Sequence, residues 1–255
     1  MDASEKAWFL ESRDGNEKPW RLFCFPFAGG SAALFNGWRS DIDPRIHLIA
    51  TQLPGRGARI REPLIERMDV LVETLVDAMA ARLGRPFALF GHSMGALVTF
   101  EVARSLRRRK LPMPAAMFVS ARRAPQLPPR MPFLHTLSDD ALIAELRALN
   151  GTPDAVLEDK ELLDLMLPII RADLTAVERH DYRDEPPLDC PIIVFGGWRD
   201  NIARDDLLAW SEQSREPLML QMFDGDHFFL NEKRPIMLRM IADALLNGDP
   251  PLVAG

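Results

Sequence analysis

A mostly parallel α/β sheet with helices on both faces is the fold class predicted by this 255-residue sequence. Three observations predict it. Short apolar runs alternate along the chain with stretches of helical spacing, the pattern of repeated strand–helix units. One run, Pro86 to Phe90, leads into Gly91-His92-Ser93-Met94-Gly95, and a helix pattern from Ala96 to Arg109 follows at once. A G-x-S-x-G in that setting puts its serine on a strained strand-to-helix turn at the C-terminal edge of a sheet. Finally, the alternation is broken once. Proline is dense from Pro125 to Pro132, and residues about 125 to 186 read as an all-helical insertion between two strands of one sheet.

The elements follow in order. Residues 1 to 19 are polar apart from Trp8-Phe9-Leu10, a short edge strand. Arg21 to Phe25 is a strand that runs into the turn Pro26-Phe27-Ala28-Gly29-Gly30-Ser31, then a helix through Phe35 and Trp38. Ile46 to Thr51 is the next strand. It ends at Leu53-Pro54-Gly55-Arg56-Gly57, a loop region carrying Arg56, Arg59 and Arg61. Apolar residues at Val70, Leu71, Leu75, Ala78 and Met79 mark a helix face, and Gly84 supplies its stop. After the serine turn and its helix, Arg107-Arg108-Arg109-Lys110 reads as a solvated helix end favoured by the dipole. Ala115 to Ser120 is a strand. Within the insertion, residues 138 to 150 form a helix with Ser138 as N-cap and Gly151 beyond its end; residues 159 to 180 form another, interrupted by Pro168. Pro191 to Phe195 resumes the sheet, Asp205 to Ser214 is a helix, Leu218 to Phe223 the last strand, and Ile236 to Leu246 the closing helix. Asp249 to Gly255 reads as a loose tail.

Composition narrows the function. A net charge of −6 disfavours a general nucleic-acid role. The two cysteines, Cys24 and Cys190, lie in apolar strand patterns and read as buried thiols, with no disulfide framework or zinc site. The stretch Met1 to Lys6 has neither the basic region nor the apolar run of a secretory signal. No apolar run is long enough to span a bilayer. The expectation is one domain over residues 1–255, cytoplasmic, without nucleic-acid or membrane partners.

In such sheets ligands bind beyond the carboxyl ends of the strands, so the loops after Phe25, Phe90, Gly196 and Phe223 should share one face. A serine hydroxyl there is a weak nucleophile until a base takes its proton and a carboxylate orients that base. Asp200 follows one strand end and His227 follows the last strand. The order Ser93, Asp200, His227 is that of the α/β-hydrolases. The rivals have other uses. Asp205 and Asp206 are helix N-terminal acids, and Asp224 and Asp226 shape the histidine turn. His92 points away from the serine, His47 is packed in a strand, and His135 and His180 are exposed or line the insertion. For a developing oxyanion the donors are the backbone N–H of Met94 and that of Phe27 or Ala28. Gly29 and Gly30 let their loop curl close to Ser93.

Four motifs in order carry a resemblance: Cys24-Phe25-Pro26-Phe27-Ala28-Gly29-Gly30-Ser31, Leu53-Pro54-Gly55-Arg56-Gly57, Gly91-His92-Ser93-Met94-Gly95 and Gly225-Asp226-His227-Phe228-Phe229. Together they resemble type II thioesterases, the stand-alone hydrolases that accompany non-ribosomal peptide and polyketide synthases. The likeness covers nearly the whole chain, including Leu167-Pro168 and Arg171-Ala172-Asp173 of the insertion. It implies a monomeric α/β-hydrolase that removes short or aberrant acyl and aminoacyl groups from the phosphopantetheine thiol of a carrier domain. It implies the triad Ser93, Asp200 and His227, oxyanion amides at Met94 and Phe27/Ala28, and a lid made by the insertion. No metal or dissociable cofactor is implied, since phosphopantetheine arrives on the carrier. Carrier domains are acidic, so docking calls for a basic surface; Arg56, Arg59, Arg61, Arg122, Arg123 and Arg130 are its candidates. Phe133, Leu134, Leu137, Leu163 and Met166 are candidates for an acyl chamber or for simple packing of the insertion. The triad alone leaves open an acyl-CoA thioesterase, a small-molecule carboxylesterase or an acyltransferase. A binding protein with an idle site is the non-enzymatic alternative.

Overall fold

Seven strands form one sheet among the residues described by the computed structural model, which are 8–12, 17–149 and 159–247. They are β1 Phe9–Leu10, β2 Trp20–Phe25, β3 Ile46–Thr51, β4 Phe87–His92, β5 Met117–Ser120, β6 Ile192–Gly197 and β7 Met219–Phe223. Their spatial order is β1-β3-β2-β4-β5-β6-β7. β1 lies antiparallel on the edge, with Phe9 opposite Thr51; the other pairings are parallel. The chain steps outward from β2 to β3 and then returns to add β4 on the other side of β2. That reversal opens a crevice beyond the carboxyl ends of β2 and β4, where such sheets hold ligands.

Among the described residues the α-helices are α1 Asn36–Asp41, α2 Met68–Ala80, α3 Met94–Arg108, α4 Asp139–Ala148, α5 Lys160–Glu178, α6 Arg204–Leu208 and α7 Arg234–Leu246. Side chains alternate across the pleat as a two-residue period demands. Phe23, Phe25 and Leu89 pack with α2 and α3, whereas Leu22, Cys24 and Phe90 pack with α1 and α7. The sheet is therefore covered on both faces, which explains why β3 and β4 are buried at every position. Both cysteines are free and buried, and burial pushes the Cys190 thiol up to about 12. No helix among the described residues is long and apolar enough to cross a membrane.

Between β5 and β6 the described elements are a 3₁₀ turn at Leu134–Thr136, α4 and α5. Ser138 caps α4, accepting from Ala141 N at 3.3 Å. Gly151 and the tail from Asp249 lie outside the described residues. The expected break at Pro168 does not occur: it sits inside one continuous α5. Pro168 and Asp164, whose carbonyl loses its donor, are both exposed residues, so the proline lies on the solvent side of the helix and not in the core. The helix expected over Asp205 to Ser214 is instead the short α6 followed by a 3₁₀ turn at Ala209–Gln213. The basic run closing α3 is not merely solvated. Arg107 and Arg108, with Arg104, pair with Glu185 in the segment returning from α5 to β6.

Candidate active site

Ser93 stands between β4 and α3 with φ 54° and ψ −112°, a conformation that costs a non-glycine residue roughly 1–3 kcal/mol. Its surroundings impose that conformation. A Cβ on Gly91 would lie 1.9 Å from Gly95 O, and one on Gly95 would lie 2.1 Å from Phe25 O. No side chain fits at either point, so β4, α3 and the end of β2 close directly on one another. Ser93 N donates to Ser120 O at 2.8 Å, tying the turn to the end of β5. The same added Cβ on Gly95 would lie 2.8 Å from Pro26 O, which puts the Phe27-Ala28 loop beside the first turn of α3.

Asp200 and His227 come from the ends of β6 and β7. Their loops are stitched by backbone: Trp198 N donates to Phe223 O at 2.8 Å and Arg199 N to Gly225 O at 2.9 Å. His227 Nδ1 lies 2.9 Å from Asp200 Oδ2, with the two side chains 10% and 2% exposed. A nearly dry pair of this kind holds the imidazole in one orientation. The bulky residues before the acid lie outside the site. Trp198 points to solvent, 61% exposed, and Arg199 pairs with Asp224.

The rivals fall as follows. Asp226 Oδ1 accepts from Phe228 N at 2.9 Å, closing the histidine turn. Asp205 and Asp206 occupy the first turn of α6, and Asp206 also pairs with Arg123 and Arg130. His47 is buried in β3. His135 contacts Glu178 at 2.6 Å and His180 contacts Glu101 at 3.1 Å. Burial, then the nearby Arg122 and Arg104, drop His180 to about 4, so it is neutral at pH 7. His92 is fully buried, its Nδ1 2.9 Å from Ser120 Oγ. Burial holds it well below the ordinary histidine range, and the His227 ring stands 5.4 Å away. Its ring also packs against Phe27, Phe228 and Phe229, so it forms part of the aromatic packing around His227. Sequence reasoning missed that packing role, because two side chains 135 positions apart in chain order give no mutual signal.

Ser93 and His227 open onto a cavity of about 310 Å³. That is the small end of the range for ligand pockets, roughly 300–1,000 Å³. Its walls are mainly apolar: Phe27, Leu34 and Phe228 from the sheet side, Leu134, Leu146, Met166, Ile170 and Leu174 from the segment between β5 and β6. Of the five chamber candidates, Leu134 and Met166 line this cavity; Phe133, Leu137 and Leu163 are not among its walls. The chain offers a cleft for a small apolar group beside a hydroxyl and an oriented imidazole.

Most of the six arginines expected to form a basic surface are buried or paired. Arg56 and Arg59 are 5% and 6% exposed. Arg59 binds Glu62 and the Gln52 carbonyl and lies over Trp8. Burial lowers Arg122 to about 10, still a cation at neutral pH. Arg123 and Arg130 are tied to Asp206, and Arg61 remains exposed. Arg56 pairs with Asp173 of α5, 117 residues away, at 2.5 and 2.8 Å. Asp173 Oδ2 also accepts from Gly29 N at 2.7 Å. The sequence presents both residues in motifs but contains no signal that they meet.

Comparison with known proteins bears on this geometry. Residues 20–245 match the thioesterase domain family model. The chain is 39% identical over 239 residues to the gramicidin S biosynthesis protein GrsT of Aneurinibacillus migulanus, covering 93% of each chain. Among solved structures, it superposes on the thioesterase RedJ of the prodiginine pathway in Streptomyces coelicolor with TM-score 0.85 and 42% identity, covering 89% of this chain and 91% of RedJ. It superposes on BorB, a type II thioesterase from the borrelidin biosynthetic cluster, with TM-score 0.86 and 40% identity, covering 94% and 98%.

Proposed function

Because the chain belongs to the thioesterase family, we propose that it is an editing hydrolase of a non-ribosomal peptide or polyketide synthase. Its substrates are short or aberrant acyl and aminoacyl thioesters on the phosphopantetheine arm of a carrier domain. One observation carries the reading. A serine on a strained turn and an aspartate-bound histidine share the rim of a small apolar cavity. The relatives GrsT, RedJ and BorB, named for gramicidin S, prodiginine and borrelidin production, support the setting.

In this scheme His227 Nδ1–H donates to Asp200, leaving Nε2 to take the proton of Ser93 Oγ. The oxygen attacks the thioester carbon, and the resulting oxyanion rests on the amides of Met94 and of Phe27 or Ala28. The carbon–sulfur bond breaks, and the imidazolium returns its proton to the departing pantetheine thiolate. Water then attacks the acyl-serine with His227 as base, releasing the acid and restoring Ser93. The cavity takes the acyl group, and its size favours short ones. The insertion serves as the lid. The scheme draws on no metal or dissociable cofactor.

Mass spectrometry of carrier proteins loaded with several acyl groups tests the reading. Incubation with the parent should strip short acyl groups and leave free phosphopantetheine, while Ser93→Ala should leave every carrier loaded. Faster turnover of the same acyl groups on CoA than on the carrier would assign the enzyme to acyl-CoA instead.

A further inference from the structure

Asp173 holds a position that neither motif reading nor triad chemistry explains. It is a carboxylate in the C-terminal half of α5, on the covering segment, with its side chain 5% exposed. Both oxygens are engaged across to the sheet. Oδ2 accepts from Gly29 N at 2.7 Å and from Arg56 Nη1 at 2.5 Å; Oδ1 accepts from Arg56 Nη2 at 2.8 Å. Arg56 Nη1 also donates to Gly30 O at 3.1 Å. The pair therefore grips the Phe27–Gly30 turn by a donor at one residue and an acceptor at the next. Gly29 adopts φ +79°, and a Cβ there would lie 2.5 Å from Ile170 Cγ1, so α5 presses directly on the turn. An apolar pair would fill this space without the cost of burying two charges, but it would offer Gly29 N–H no acceptor. Gly29 N is thereby committed to Asp173 and withdrawn from the oxyanion site, leaving the preceding amides for it.

We infer that Asp173 is a positioning residue for the oxyanion turn, and that it makes the acyl-cavity wall and that turn one mechanical unit. The inference rests on the serine-hydrolase reading above. Ile170, Asp173 and Leu174 share α5; Ile170 and Leu174 line the cavity while Asp173 holds the turn. An acyl group too large for the cavity pushes on the same helix that aims the amides of Phe27 and Ala28. Chain length is then read in the chemical step, through kcat, rather than in binding.

The test uses N-acetylcysteamine thioesters of increasing acyl length, so that no carrier is needed, with rates divided by the sites titrated to completion by a fluorophosphonate. Two variants are compared with the parent: Asp173→Asn, and the double variant Arg56→Met with Asp173→Leu, which removes both buried charges and keeps the space filled. For both, kcat per titrated site should fall at least tenfold, with KM within about twofold, since misplacing an oxyanion donor costs transition-state and not ground-state binding. Affinity for a trifluoromethyl ketone should fall by the same factor as kcat/KM, and the dependence of kcat on acyl length should flatten. A purely structural role would lower the melting temperature and the fraction of titratable sites while leaving kcat per site unchanged; that result in the double variant overturns the inference. A parent that cleaves no thioester and leaves Ser93 unlabelled would fail the hydrolase reading itself, and this one with it.

Discussion

The rim of the sheet and the helical segment that covers it are held by different forces. At the rim, backbone joins backbone: Ser93 N to Ser120 O, Trp198 N to Phe223 O, Arg199 N to Gly225 O. Glycines set the spacing there because nothing larger fits. In the covering segment, charged side chains do the joining. Glu178 accepts from Leu134 N and His135 N, both at 2.9 Å. Arg171 donates to His135 O at 2.7 Å and Leu137 O at 2.8 Å, and Asp173 reaches across to Gly29. These three anchors all lie in the half of α5 that follows Pro168. That half is largely buried, whereas Leu162 and Leu165 in the first half are 40% and 51% exposed. The rim holds Ser93 and His227 on backbone-tied elements, and the cover supplies most of the apolar cavity wall.

That contrast can be broken most directly at the rim. Ser93→Ala and His227→Ala should each lower kcat by about a thousandfold or more and leave the melting temperature within a few degrees of the parent. Steady-state kinetics beside calorimetry reads both; a residual rate within tenfold of the parent would remove these side chains from the reaction. Gly95→Ala comes next. A methyl 2.1 Å from Phe25 O forces β2 and α3 apart, and stability should fall by more than about 3 kcal/mol in urea unfolding. A melt matching the parent would mean that the close approach is not required.

In the cover the effects should be smaller and of another kind. Met166→Trp reduces a cavity of about 310 Å³ and should shift preference toward shorter acyl groups by about tenfold, with the rate on acetyl thioesters nearly unchanged. An unaltered chain-length profile would demote this wall to packing. His180 supplies the smallest effect and a pH signature. Its folded value of about 4 lies below the ordinary 6.5. The unfolded chain therefore binds more protons between those values, and stability present above pH 6.5 is lost as pH falls toward 4. Glu185 is lowered to about 2: burial pushes it up, but hydrogen bonds from Arg107 and Arg104 win. Its contribution is present above about 4.5 and is lost only below that, so between pH 6.5 and 4.5 the loss belongs to His180 and not to Glu185. Melting temperatures at pH 7, 5.5 and 4 should decline less steeply for His180→Gln than for the parent. Equal slopes would show that His180 does not report the burial of this segment.

The same contrast explains what was legible. The placement of Ser93, Asp200 and His227 at one edge was readable because each follows an apolar run at a strand end, and a parallel sheet brings such ends together whatever lies between. The two glycines beside Ser93 told of a close approach because no other residue tolerates one. Arg56 looked like a free surface cation because an arginine in a Gly-rich loop usually is. Its burial depends on Asp173, far along the chain, and no local pattern encodes that meeting. Pro168 read as a break because local rules end helices at proline; here it lies on the exposed side of a helix that runs through it.

By itself, then, the order of residues determined the strand and helix alternation, the strained turn at Ser93 and the edge where the three side chains gather. These follow from neighbour sterics and the two-residue and 3.6-residue periods, which need no knowledge of distant chain. The tertiary structure alone decided which arginines are buried, which walls close the cavity and what holds the Gly29 turn. A charge is buried only where an opposite charge meets it, and that partner is chosen by packing across the whole molecule.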